Sequence, residues 1–454
     1  MPEWTVLLCP SGGVVRLAME LRFRTVLLAP MPVSTQDTPS GSPAPDRPEV
    51  KRLGWTRVRV VLEYWRPLVI ALLCIQVPLL VLNRFELPLG ISFGYRSFTR
   101  NIAIVMVLGV WLGARGLPRP RSILMSPMLV FFAAIWLSVA VNGGRWADVR
   151  SFGFTVGLFY GASSLARSAD ARRFLFHWLG ALVVLTVLSE LYGNPEILQF
   201  RQALRNTMVT AHPNTLGGFF ALMAPLFLGA LDDKSARRLA PLYVVFAIFG
   251  AALTFSRLSL AGLFVGAGTV LAVVWLRRYP MRVLGLGVAA AVLAVASILY
   301  LSLGRAEADW QRLNIIYASL TIFAENWLLG IGFGVENLEV VFPGRYDALF
   351  GKKLWLYHSH NMYVDVLVAS GVLGGACAAW LFYRLSVLAW RAVEASQEDP
   401  RIRRVGAGFA GATVVFFLLG VGDMPLYHER LLFPLAIAWG LMDGWGVWAQ
   451  SRPS

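Results

Sequence analysis

The residues with the most chemical potential stand together at His358-Ser359-His360-Asn361, and nine residues later the chain reads Gly371-Val372-Leu373-Gly374. Histidine is the usual side chain for taking a proton from a hydroxyl at neutral pH. Ser359 or Asn361 can cap the helix that must begin here, and Asp365 lies one turn beyond Asn361 on the same helix face. A histidine at a helix N-terminus feels the positive end of the macrodipole, which disfavours imidazolium and keeps a neutral base available. The two glycines allow a neighbouring helix to come close. Two interfacial histidines with a purely structural role fit the same pattern, so the residues alone leave both alternatives open.

Two arginines are candidates for binding an anion. Arg257 closes Thr254-Phe255-Ser256-Arg257 in an otherwise apolar stretch, where an idle charge would be costly. Arg312 shares its segment with Arg305, and spacing does not say which of the two is functional. A guanidinium stays charged and grips phosphate oxygens through a bidentate fork. Arg205, His212 and Asn214, with Arg201, precede another apolar run and either line an entrance or form a solvated face. Asp423, His428, Glu429 and Arg430 cluster between the last two apolar runs, where capping is their simplest role. Gly330-Ile331-Gly332-Phe333-Gly334 lacks the strand-to-helix context of a dinucleotide loop and suits close backbone approach instead. No metal and no cofactor is expected, because no paired carboxylates of the Asp-x-Asp kind accompany these groups. Asp232-Asp233 falls on the other side of the membrane.

The elements that must position these residues are membrane spans. Of the 454 residues, 57% are hydrophobic and only 15% charged, with a mean hydropathy of +0.61. A soluble domain carries about 25% charged residues. Runs of about 20 apolar residues cross a bilayer core of about 30 Å. They fall at Pro67–Leu82, Phe98–Ala114, Ile123–Val141, Ser151–Ala166, Phe174–Tyr192, Thr215–Leu231, Leu239–Phe255, Leu258–Leu276, Val283–Leu303, Met362–Phe382, Val405–Val421 and Leu431–Val447. The expected fold is therefore all-α, a polytopic integral membrane protein of about twelve transmembrane helices. The nearly continuous run from Leu239 to Leu276 would be about 57 Å long as one helix, too long for a single crossing. Basic clusters flank both its ends, so the chain is expected to turn back near Ser256–Arg257.

The net charge of +15 belongs to the short loops, as membrane orientation requires, and no loop is long enough for a nucleic-acid-binding module. With the arginine-rich loops inside, both termini are cytoplasmic. His212, His358, His360 and His428 then lie on the outer side and only His177 near the inner face. Residues 304–361 form a long outer segment between spans nine and ten, carrying Arg305, Arg312, Arg345, Lys352 and Lys353. Outer basic residues run against the orientation bias, and a polyanionic ligand would account for them. Residues 1–65 are expected to be a partly disordered cytoplasmic tail, 66–448 the membrane domain and 449–454 a short C-terminal tail. The cysteines, Cys9, Cys74 and Cys377, support neither a disulfide framework nor a metal site.

His360-Asn361, nine residues and Gly-x-x-Gly resemble the His-[Asn/Ser/Gln]-x9-Gly-x-x-Gly pattern of the bacterial O-antigen ligase family. Ala211-His212-Pro213-Asn214, Thr254-Phe255-Ser256-Arg257, and Arg312 followed by Glu325 to Gly334 also resemble that family and its relatives, the Wzy-type polymerases. The resemblance runs from about Arg205 to Val447. It implies a glycosyltransferase of the bacterial inner membrane, acting at the periplasmic face on an undecaprenyl-pyrophosphate-linked glycan, and the two arginines and the lack of paired outer carboxylates make it an expected metal-independent one. The acceptor it implies is a sugar hydroxyl of lipid A–core or another glycan. By the same resemblance His360 is the base, and Arg257 and Arg312 hold the donor pyrophosphate. His358, Asn361, His212, Asn214, Arg205 and Arg305 are candidates to line the substrate. A Wzy-type polymerase is the alternative, and a protein O-oligosaccharyltransferase a more distant one. A transporter would place ionisable residues in mid-span and show repeats, whereas polar residues here gather at the outer rim.

Overall fold

A computed structural model describes residues 69–74, 84–86, 92–94, 101–105, 107, 122–143, 146–167, 169–193, 213–231, 238–275, 306–354, 359–398, 400–427 and 429–450. The expected span Val283–Leu303, residues 1–65, the C-terminal tail beyond Gln450, and the site candidates Arg205, His212, Arg305 and His358 lie outside them. The described chain is helical apart from one short hairpin. In it β1 (Arg84–Glu86) pairs antiparallel with β2 (Ser92–Gly94), Phe85 opposite Phe93.

The helices are α1 (Met125–Asn142), α2 (Trp146–Leu165), α3 (Ala169–Gly193), α4 (Pro213–Gly229), α5 (Ala240–Leu253), α6 (Arg257–Trp275), α7 (Ala306–Glu325), α8 (Val335–Phe350), α9 (Met362–Glu398), α10 (Pro400–Gly422) and α11 (Glu429–Gln450). Five stretches are long and apolar enough to cross a membrane: Met125–Asn142, Asp170–Tyr192, Arg257–Val274, Met362–Glu394 and Arg404–Gly422. Pro213–Gly229, Ala240–Leu253 and Leu431–Trp445 are shorter apolar helices. The expected span Ser151–Ala166 falls in α2, whose first turns carry Asp148 and Arg150. Helix is also present at 69–74 and 101–105, within the first two expected spans.

The turn expected in the Leu239–Leu276 run is present. α5 ends at Leu253 and α6 begins at Arg257, with Phe255 in the left-handed region between them (φ 49°). The 304–361 segment is not simply irregular loop. It folds into α7 and α8, which share a small core of Ile315, Ala318, Ile322, Leu338, Phe342 and Tyr346 with Val368 of α9.

α10 is the hub, packing against α4, α6 and α9, while α11 packs against α2. Small residues make the approach possible. A Cβ on Gly411 of α10 would lie 2.7 Å from the Gly266 carbonyl of α6, and one on Gly229 of α4 would collide with the Arg404 carbonyl. Lipid supplies no hydrophobic drive between helices, so such backbone contacts carry the packing. A methyl group forced in there would cost about 1–3 kcal/mol.

Candidate active site

α9 is two helices joined at a break. Gly371 sits at φ 64° and ψ −166°, a conformation open essentially only to glycine, and a Cβ there would collide with the Leu328 carbonyl. An unbroken helix would bond Val372 N–H to Val368 C=O and Leu373 N–H to Ala369 C=O. Instead Val372 N–H donates to the Trp327 carbonyl (2.7 Å) and Leu373 N–H to the Leu328 carbonyl (3.3 Å). The freed carbonyls of Val368 and Ala369 accept from Ile331 N–H (2.9 Å) and Gly332 N–H (3.0 Å). The Ser138 hydroxyl of α1 lies 2.7 Å from the Leu329 carbonyl and 2.8 Å from that of Ala369. Two helix hydrogen bonds are thus exchanged for four to an inserted chain segment. In a membrane, where an unpaired backbone group costs several kcal/mol, a break survives only with such replacement. The first glycine of the Gly-x-x-Gly pair therefore admits the Trp327–Gly332 backbone, not a neighbouring helix. The glycine run at 330–334 supplies the close approach on the other side, since a Cβ on Gly330 would collide with the Val368 carbonyl.

About 14 Å along the helix from this break, at 1.5 Å per residue, stands the His-Asn motif. Asn361 is the cap: its Oδ1 accepts from Tyr363 N–H and Val364 N–H, both at 3.1 Å. Its Nδ2 donates to the Val421 carbonyl at the end of α10 (3.1 Å). His360 is half-buried and left-handed (φ 57°). Asp365, 2% exposed, accepts the Ser359 N–H on Oδ1 at 2.8 Å and so ties the residue before His360 to the helix after it. Its Oδ2 is buried with no hydrogen-bond partner among the described residues. His360 and Phe255 are the two non-glycine residues with positive φ among the described residues, and each lies in a candidate motif. Such conformations cost about 1–2 kcal/mol each and persist where surroundings impose them.

The last turn of α10 gathers the other motifs. Asn361 bonds Val421, the Met362 side chain fills the space beside Gly420, and Leu258, next to Arg257, fills that beside Gly422. The start of α4, which carries Asn214, packs on the Thr254–Ser259 turn; a Cβ on Gly217 would lie 2.5 Å from both Thr254 Oγ1 and Ser259 Oγ. His360, Arg257 and Asn214 are accordingly at one end of the bundle. Arg312 is on α7, one turn before the buried Ile315, in the helix that packs beside the first part of α9.

A second group adjoins these residues, and two of its members, Tyr427 and Asp148, carry no signal in the sequence. Tyr427 stacks edge-on against Phe333 (5.0 Å between centroids), takes a backbone hydrogen bond from Gly334, and faces Asp365 and Asp148. Burial pushes its hydroxyl well above the ordinary tyrosine range, and the two carboxylates push it further. Asp423 is also buried, and its Oδ1 accepts the Met424 N–H at 2.8 Å. Asp148 and Tyr427 come from helices and turns far apart in sequence, so no spacing announces them. Among the described residues, no three His, Cys, Asp or Glu side chains are placed to hold a metal ion.

Comparison with known proteins gives one family. Residues 242–379, less than half of the chain, match the model described as O-antigen ligase. The match spans the Arg257 turn, both helices of the 304–361 segment, the His-Asn motif and the break at Gly371. No curated protein sequence matches the chain.

Proposed function

We propose, from the O-antigen ligase match over residues 242–379, that the protein transfers a glycan from undecaprenyl pyrophosphate to a sugar hydroxyl of lipid A–core at the periplasmic face of the inner membrane. The observation that carries this reading is the meeting of the Arg257 turn, the α4 N-terminus and the His360-Asn361 cap around the last turn of α10. In the reaction, the acceptor hydroxyl oxygen forms a bond to the anomeric carbon of the donor sugar. The bond from that carbon to the pyrophosphate oxygen breaks, and the electron pair leaves with the lipid pyrophosphate. His360 takes the hydroxyl proton. Arg257 and Arg312 offset the charge on the departing pyrophosphate through forked hydrogen bonds.

Geometry supports these roles in two respects. The left-handed turn at His360 sets its backbone outside the regular path of α9, while Asn361 and Asp365 fix the backbone on either side. The tight turn at Phe255 makes Arg257 the first residue of α6, so its charge is at the mouth of the bundle and not inside it. Asn214, and with it His212, Arg205, His358 and Arg305, are proposed to line the path of the substrates.

The test is complementation of a strain lacking the chromosomal copy with wild type and His360→Ala, with lipopolysaccharide resolved on a gel. The expected result is bare core in the mutant, with long glycan accumulating on undecaprenyl pyrophosphate. Core bearing a single repeat unit would make the protein a polymerase. Wild-type lipopolysaccharide from His360→Ala would remove His360 from the chemistry.

A further inference from the structure

α7 carries two apolar faces, and only one of them is used inside the protein. Ile315, Ala318 and Ile322 point into the core shared with α8 and α9. On the other side, Trp310 (67% exposed), Leu313 (56%), Tyr317 (57%) and Leu320 (40%) form a stripe at spacings of three, four and three residues. That spacing keeps all four on one face of a helix. From Trp310 to Leu320 no charged residue interrupts this face; Asp309 borders it at its N-terminal end, about 60° from its centre at 100° per residue, and Arg312 falls about 120° from that centre, toward the buried side. A soluble surface rarely leaves such a stripe open to water.

The stripe runs on into the membrane-spanning part of the molecule. α7 leads directly to Trp327 and Leu328, both more than half exposed. Their carbonyls are bonded to the N–H groups of Val372 and Leu373 of α9, whose side chains are exposed as well. α9 is long and apolar enough to cross the membrane, and Val372 and Leu373 lie within that stretch. Trp327 and Leu328 therefore share their depth, and α7 ends beside lipid. Trp310 opens the stripe and Tyr317 stands within it, and tryptophan and tyrosine are the residues enriched where hydrocarbon meets headgroups.

We infer that α7 is a membrane-interface helix whose Trp310–Leu313–Tyr317–Leu320 face is seated in the bilayer lipid. The segment 304–361 is then anchored to the membrane surface along α7. The depth of Arg312 is set by that anchor, because it lies on the same helix. The inference rests on the membrane reading of α9 and does not depend on what reaction the protein catalyses.

Fluorescence quenching in vesicles tests it. In full-length protein with Cys9, Cys74 and Cys377 replaced by Ser, a single cysteine is placed at Leu313, Tyr317 or Leu320, with Gln311→Cys and Lys352→Cys as exposed polar controls. Each is labelled with bimane and reconstituted into phosphatidylcholine–phosphatidylglycerol vesicles. Nitroxide-bearing lipid should quench the three stripe positions several-fold more than the controls, and aqueous iodide should do the reverse. Stripe positions that behave like Gln311→Cys would overturn the inference. So would protection from both quenchers, which would mean that protein, not lipid, covers the face. Each of the three positions gives an independent reading, so loss of one variant to misfolding leaves the test intact.

Discussion

Two buried aspartates mark opposite ends of the bundle and are treated differently. Asp443 of α11 is fully buried, and both its oxygens are used. Oδ1 accepts Ile123 N–H at 3.0 Å and Oδ2 accepts the Ser163 hydroxyl at 2.6 Å, which ties α11 to α2 and to the start of α1. Arg384 of α9 reaches the Ile123 carbonyl at the same level (3.3 Å). Asp365 of α9 is as deeply placed, but its hydrogen bonds come from Ser359 alone and its Oδ2 has no partner among the described residues, beside a left-handed histidine. A closed knot of satisfied polar groups contributes to stability. A partly satisfied one, next to strained backbone, is what a fold keeps where geometry is needed for something else.

The comparison can be broken by substitution. The largest effect on stability is expected from Asp443→Ala, which strands a buried N–H and a buried hydroxyl. It should cost about 2–5 kcal/mol, read as a lower thermal midpoint of the purified protein, while the folded fraction keeps its transfer rate. Asp365→Asn keeps the size and an acceptor for Ser359. It should leave the midpoint nearly unchanged and slow transfer about tenfold, roughly 1.4 kcal/mol at the transition state. If Asp365→Asn instead unfolds the protein as Asp443→Ala does, the two ends are alike. The smallest effect concerns backbone alone: His360→Gly should be more stable than His360→Ala by about 1 kcal/mol, because only glycine adopts the left-handed turn without penalty. Equal midpoints for the two would show that the turn is not imposed on the chain.

Much of the architecture was legible because lipid leaves few choices. An apolar run must be helix, and an apolar run too long for one crossing, with basic clusters at both its ends, calls for the turn that appears at Phe255. Asn361 could be read as a cap from its place before an apolar run. The break at Gly371 could not, since Gly-x-x-Gly also describes helices packed side by side, and the inserted partner binds through backbone atoms that leave no side-chain signature. Asp443 stood in an apolar run with partners 280 and 320 positions away. The apolar stripe of α7 was hidden in a segment read as outer loop, because its period of 3.6 was diluted by Glu307, Asp309 and Arg312.

The most direct test of the account uses the purified full-length protein in vesicles, supplied with undecaprenyl-pyrophosphate-linked glycan and lipid A–core. Transfer by His360→Ala should fall by about 10²–10⁴-fold, the usual worth of a general base, with the thermal midpoint unchanged. Transfer at the wild-type rate by His360→Ala would contradict the assignment of His360 as the base and, with it, the account of why the chain is strained there.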